Sequence, residues 1–225
     1  MVQQSSLTRL KRKSLALDTA DYLRKAIIAG DIPPGGRLLE VDISSQLGIS
    51  RGTLREALQI LEGEGIVESH QGRGKYVMSL SEKAIQEIYS VRSILEQEAI
   101  RLAVQNIDDR GVKKLQTILQ TMLNAAKAND TNLVIDSDFE FHQEIWAIAD
   151  NQLLERMLYS ISQPVRIYLA IQVKLYDDLV NGILDHKQIL AAICNRAGDQ
   201  AAVLIKAHMT YAREVVIEYV QDHDS

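Results

Sequence analysis

A chain of 225 residues, 46% hydrophobic and 24% charged, can bury a sizeable core and has room for two small domains or one large one. Its net charge of −5 is unevenly placed: residues 1–78 carry 11 Lys+Arg against 9 Asp+Glu, and residues 79–225 carry 14 against 21, which argues against a second nucleic-acid surface in the longer part. A lone cysteine, Cys194, excludes an internal disulfide framework. No stretch approaches the roughly 20 apolar residues of a membrane span, and the N-terminus lacks the apolar core of a secretory signal, so a soluble, cytoplasmic protein without a membrane partner is expected.

In chain order, residues 1–13 form a polar arm with Arg9, Lys11, Arg12 and Lys13, expected to be flexible. Residues 14–78 read as a winged helix-turn-helix. Ile32-Pro33-Pro34-Gly35-Gly36-Arg37-Leu38 is a turn built on two prolines and two glycines. Val41, Ile43 and Leu47 follow at near-helical spacing, ended by Gly48. Ser50 is placed as an N-cap, and Arg51 to Leu61 continue as an amphipathic helix with Leu54, Ala57, Leu58 and Leu61 inward. Arg51, Thr53, Arg55, Gln59 and Glu62 are left outside. Helix, short glycine-containing turn and helix make the helix-turn-helix pattern. Residues 66–70 and 75–78 then flank Gln71-Gly72-Arg73-Gly74 as two short strands around a tight turn would, giving a wing.

Three stretches carry a resemblance: Ser50-Arg51-x-Thr53-Leu54-Arg55-Glu56-Ala57-Leu58, Leu61-Glu62-x-Glu64-Gly65-Ile66-Val67 and Gly72-Arg73-Gly74-x-x-Val77. With them this part of the chain resembles the N-terminal domain of the GntR family of bacterial transcription regulators. The second helix would then lie in the major groove, Arg51 and Arg55 reaching base edges at i and i+4. Ser50 and Thr53 would bond phosphates and set the register. Gln71 and Gly72 would meet the minor groove, and Arg73 and Lys75 would add phosphate contacts that make affinity salt-dependent. Gly52-Thr53-Leu54 stands where many members of the family's FCD-type branch have Thr-Pro-Val, so a standard operator does not follow.

From residue 79 onward there is one proline, Pro164, and no sustained strand alternation. Ser79-Leu80-Ser81-Glu82 offers a capping box for a long helix with Ile85, Ile88, Val91, Leu95 and Ala99 on one side. Further helical patterns cover roughly 108–128, 131–149, 151–175, 177–182, 186–196 and 199–221, with Asp108, Thr131 and Asp199 as caps and Gly198 as a stop. The expected class is therefore mainly α: a winged helix-turn-helix followed, over 79–225, by an all-α antiparallel bundle of six or seven helices. Leu115, Leu119 and Met122 read as core.

Asp138-Phe139-Glu140-Phe141-His142 puts Asp138 and His142 on one helix face. His186 opens a later helix and His208 lies inside the last one. These four are either buried polar groups with protein partners or a ligand set; one carboxylate and three imidazoles suit a borderline divalent cation such as zinc or nickel. His186-Lys187-Gln188-Ile189-Leu190-Ala191-Ala192-Ile193, Gly198-Asp199-Gln200-Ala201-Ala202 and the final His208, together with Asp138-x-x-Phe141-His142, resemble the FCD ligand-binding domain of the FadR-type branch of GntR regulators. The resemblance implies that all four positions bind metal. It also implies that Arg92 faces an effector cavity, with Arg166 a second candidate anchor, and that the effector is a small organic acid. It implies a homodimer on an inverted-repeat operator in double-stranded DNA, which we read as a repressor released by its ligand. Arg92 can equally form a salt bridge with Glu96 four residues on. A metallohydrolase with a DNA-binding head would need a general base near the site; Glu140 and Glu144 are near in sequence, but Glu140 is two residues from both ligands and no nucleophile motif accompanies it, so no catalytic residue is assigned. A purely structural metal is the remaining alternative.

Overall fold

The structure is a computed structural model that describes residues 15–176 and 178–223; the basic arm with Arg9 to Lys13 lies outside the described residues. The winged part opens with α1 (Leu15–Ala29), whose buried face is Ala16, Thr19, Ala20, Leu23 and Ile27. After the Pro-Gly turn a two-residue strand, β1 (Arg37–Leu38), leads into α2 (Glu40–Leu47) and α3 (Arg51–Gly63). Gly48 takes φ +63° and its amide returns to Ser44 and Ser45 carbonyls, ending α2 in the left-handed conformation glycine tolerates best. Ser50 then caps α3, its hydroxyl accepting from the Thr53 amide at 3.1 Å. Leu54, Ala57, Leu58 and Leu61 are the buried face of α3, as their spacing predicts. Val41, by contrast, is 54% exposed, and α2 meets the core through Ile43 and Ser44.

The hairpin is β2 (Val67–His70) and β3 (Gly74–Val77), with Val67 opposite Val77 and His70 opposite Gly74. β1 pairs with the other edge of β3, Arg37 opposite Tyr76, so the sheet order is β1-β3-β2. The sequence pattern contained the hairpin but not this third strand. Arg24 binds Glu64 through two guanidinium nitrogens, at 2.8 and 2.6 Å, and so ties α1 to the residue that caps the C-terminus of α3.

Seven helices follow among the described residues: α4 (Glu82–Asn106), α5 (Asp109–Lys127), α6 (Thr131–Ile148), α7 (Gln152–Leu175), the single turn α8 (Leu179–Gly182), α9 (Asp185–Cys194) and α10 (Gly198–His223). α10 packs along α4, α5 along α6, and α6 against α7, which forms one apolar core with the winged part. Caps fall close to their expected places. Asp108 accepts from the Gly111 amide at 2.8 Å, whereas Ser81 rather than Ser79 caps α4, and Asp130 rather than Thr131 caps α6. Gly198 starts α10 instead of stopping α9; the turn between them is made by Arg196 at φ +53°, whose guanidinium bonds the Val104 and Ile107 carbonyls at the end of α4.

One departure from the sequence pattern places the site. The inward seam of α4 is Ile85, Tyr89, Arg92, Glu96, Ala99 and Ile100, so it runs through two charged residues, while Val91 is 45% exposed. Apolar periodicity alone had turned this helix the wrong way at Val91.

Candidate functional site

The exposed side of α3 carries Arg51 and Arg55, the latter 64% exposed at its side chain and paired through Nε with Glu40 at 2.7 Å. Ser50 Oγ lies 2.9 Å from Thr53 Oγ1, so the two hydroxyls that would meet phosphate are already positioned by the N-cap. Gln71, Gly72 and Arg73 are exposed at the tip of the wing, with Gly72 at φ +72°. Lys75 is placed differently from its neighbours: its ammonium is bonded to Glu62 of α3 and to Ser69 at 2.9 Å, bracing the wing against the helix. Arg37 is a cation the sequence pattern missed. β1 lays it beside the wing, with its guanidinium carbon 5.9 Å from the Tyr76 ring centre. Only the pairing of β1 with β3 brings it there, and that pairing leaves no local signal.

In the bundle, α6 supplies Asp138 and His142 one turn apart, α9 supplies His186 in its first turn, and α10 supplies His208. One donor atom from each of the four lies within 4.8 Å of the others, and all four side chains are at most 8% exposed. His186 Nε2 is 3.1 Å from Asp138 Oδ2. Nε2 of His142, by contrast, is buried and has neither a hydrogen-bond nor an ion-pair partner in the protein. Buried polar atoms are rarely left unpaired, and the exceptions call for a ligand or a water. The donor set and its spacing fit a divalent cation.

A further ring of groups supports these imidazoles. Glu96 is fully buried and meets three partners: Arg92 Nε at 3.3 Å, His142 Nδ1 at 3.3 Å and the indole N–H of Trp146 at 2.9 Å. Asp185 reaches His186 Nδ1 at 3.1 Å and also pairs with His208 Nδ1. Every histidine of the cluster thus turns Nδ1 toward a carboxylate and leaves Nε2 for the centre, the arrangement that orients metal-binding imidazoles. Sequence reading did not assign this role to Glu96 or Asp185. Their positions beside Arg92 and His186 were visible, but their convergence depends on helices far apart in sequence.

Charge follows the same geometry. Burial would raise the Glu96 carboxyl, but His142, Arg92 and the Trp146 N–H outweigh it and hold the group at about 2. Burial likewise opposes ionisation of Asp138 and Asp185, yet the neighbouring imidazoles hold both well below the usual carboxylate range. His186, despite its burial, is pushed up to about 10 by Asp138 and Asp185, whereas burial lowers His208.

Arg92 is brought next to this cluster, but its side chain is only 7% exposed and is engaged by Glu96, a pair buried rather than solvated. Arg166 is paired with Asp136 of α6 and lies over the Phe139 ring at 4.9 Å. A cavity of about 550 Å³ adjoins His208 and Asp185; Tyr176, Asp178, Gln188 and Tyr211 line it, and neither arginine does. Glu140 faces solvent and Glu144 is bonded to Lys114, so neither of these two carboxylates is placed as a general base for the cluster.

Comparison with known proteins agrees with both halves. The family model described as bacterial regulatory proteins, gntR family, matches residues 15–77, and that of the FCD domain matches residues 87–211. The gluconate operon transcriptional repressor of Bacillus subtilis (strain 168) is 31% identical over 90% of this chain and 84% of its own length. The Nta operon transcriptional regulator of Aminobacter aminovorans is 28% identical over 84% of this chain and 88% of its own. Among solved structures, E. coli McbR/YncC superposes with a TM-score of 0.80 at 22% identity, covering 93% of this chain and all of that one, which shows the shared fold. These relatives are regulators and not enzymes. The chain belongs to the gntR family of bacterial regulatory proteins, in the form that carries an FCD domain, and is a transcription regulator.

Proposed function

We propose that this regulator is a ligand-responsive repressor that binds an inverted-repeat operator as a homodimer, and that its effector is a small organic acid held at a divalent metal in the bundle. The observation that carries the reading is the convergence of Asp138, His142, His186 and His208 around a buried, unpartnered His142 Nε2. Those four residues would hold the metal, zinc or nickel by donor chemistry. When bound, it would supply a fixed positive charge for one end of a carboxylate. Glu96 and Asp185 orient the imidazoles, and Arg92, which shares one Glu96 oxygen with His142, would clamp the ligand once released from Glu96. On the DNA side, Arg51 and Arg55 would read bases, Ser50 and Thr53 hold phosphates, Gln71 and Gly72 follow the minor groove, and Arg73 add a phosphate contact. Lys75 would contribute by fixing the wing and adding charge to its flank. The repressor sign is supported by the gluconate operon relative.

The decisive experiment is metal content of the untagged protein beside His142→Ala and His208→Ala. Near-stoichiometric metal in the wild type and loss in both variants is expected. A wild type that is metal-free and takes up neither zinc nor nickel would end the metal reading. An effector affinity unchanged by chelation of the metal would assign the ion a structural role only.

A further inference from the structure

A second cavity, of about 560 Å³, lies where the winged part meets the bundle. Its volume falls within the roughly 300–1,000 Å³ of small-molecule sites. Ile28 of α1, Pro33 of the turn after it, Leu80 before α4, Ile171 of α7 and Tyr219 of α10 contribute to its walls, so both parts of the chain line this open cleft. None of the four clustered metal-type donors lines it. It is therefore separate from the site described above.

The lining has one charged residue among the described residues, Lys174, and no carboxylate. Lys174 Nζ donates to the Ala29 carbonyl at 3.0 Å, at the C-terminal end of α1. The last turn of α1 contains no basic residue of its own, so α7 supplies, from across the boundary, the cation that the negative end of that helix favours. An anion entering the cavity would meet an ammonium with no competing carboxylate in the walls. To bind it, the anion must take Lys174 from Ala29, exchanging a hydrogen bond between the two parts of the chain for one to the ligand.

We propose that this cavity is a second ligand site, for a small amphipathic monocarboxylate whose apolar body packs against Ile28, Pro33, Leu80 and Ile171 and whose carboxylate is taken by Lys174. Because its walls come from both parts of the chain, a ligand there favours one arrangement of them over others and shifts their populations. The site is thus placed to adjust the winged helix independently of the metal cluster.

The test titrates 4-phenylbutyrate into the full-length protein by calorimetry, alongside Lys174→Met, Ile171→Trp and His142→Ala, each checked for a wild-type-like unfolding transition. Saturable binding of one molecule per chain is expected, weakened at least about tenfold by Lys174→Met, which removes a charge-assisted hydrogen bond. Ile171→Trp, which fills the cavity, should abolish it, and His142→Ala should leave it intact. Absence of saturable binding to the wild type overturns the proposal. So does binding that survives Lys174→Met, and binding lost in His142→Ala alone would assign the molecule to the metal cluster instead. Should Ile171→Trp fail to fold, Lys174→Met and His142→Ala still decide. The outcome does not depend on whether the cluster holds metal.

Discussion

At the scale of single residues, the pair Glu96 and Asp185 matters as much as the four proposed ligands. A carboxylate on Nδ1 fixes the tautomer that leaves Nε2 free, and losing such a partner typically costs about 10–100-fold in metal affinity. Glu96→Gln and Asp185→Asn should therefore weaken zinc binding by about that much, measured by competition with a chromophoric chelator, while far-UV circular dichroism stays unchanged. Wild-type affinity in both would mean that the imidazoles are held by packing alone. The raised position of His186, at about 10, gives a second expectation. Below that pH the metal-free imidazole is protonated, and its Nε2 must lose a proton to become a ligand. Metal uptake at neutral pH should release at least one proton, and apparent affinity should rise about tenfold per pH unit. Calorimetry in buffers of different ionisation enthalpy measures this directly; a heat independent of buffer would show that His186 is already neutral. The four clustered residues are legible in the sequence as a candidate set because Asp138 and His142 share a helical spacing and histidines are scarce, five in the chain. Glu96 and Asp185 were not, since an acidic residue on an amphipathic helix is ordinarily solvated.

At the scale of elements, α3 was read almost completely from its own sequence, and α4 was not. In α3 the N-cap, the apolar stripe and the exposed arginines are all local features, and leucines at Leu54, Leu58 and Leu61, each 0% exposed, leave little freedom in how the helix is turned. Fully burying a leucine contributes roughly 1.5–3 kcal/mol. In α4 the buried seam includes Arg92 and Glu96, which pair with each other and with α6, so hydrophobic periodicity misplaces Val91. α1 is less legible because only Leu23 and Ile27 of its inner face are large and apolar, the rest being Ala16, Thr19 and Ala20, a weak signal. β1 is two residues long and exists only through β3. The exposed face of α3 leads to a further prediction. Arg55 is held by Glu40 in the absence of DNA, and the pair is solvated enough that releasing it costs little. Arg55→Ala should then reduce binding to an operator recovered by selection from random duplexes by about 10–100-fold, corresponding to roughly 1–3 kcal/mol of base discrimination, with little change on unrelated DNA. Equal losses on both sequences, in electrophoretic or anisotropy titrations, would make Arg55 a phosphate contact.

For the molecule as a whole, α7 is the element that touches both functions. It packs on α6, which carries Asp138 and His142, and on α1 of the winged part. At its middle, Pro164 lies against Gly65, just past the end of α3; a Cβ on Gly65 would stand 3.4 Å from the proline ring, and the residue has φ +76°. A side chain there would strain the backbone, by about 1–2 kcal/mol for a left-handed residue, and would bring a methyl group into contact with the Pro164 ring of α7. An effector can shift the DNA-binding arrangement only through a difference in its affinity for the two states, and couplings of this kind are usually about 1–3 kcal/mol, or 5–150-fold. A carboxylate found by screening against metal-loaded protein should change operator affinity within that range. Linkage then requires the operator to change the carboxylate's affinity by the same factor. Gly65→Ala should leave metal content unaltered, because neither Gly65 nor Pro164 belongs to the donor cluster, yet reduce the coupling measured in both directions. If metal, effector and operator affinities all match the wild type and their coupling is also unchanged, the route from bundle to winged helix does not pass through the Gly65–Pro164 contact, and the Lys174–Ala29 bond in the last turn of α7 becomes the joint to vary next.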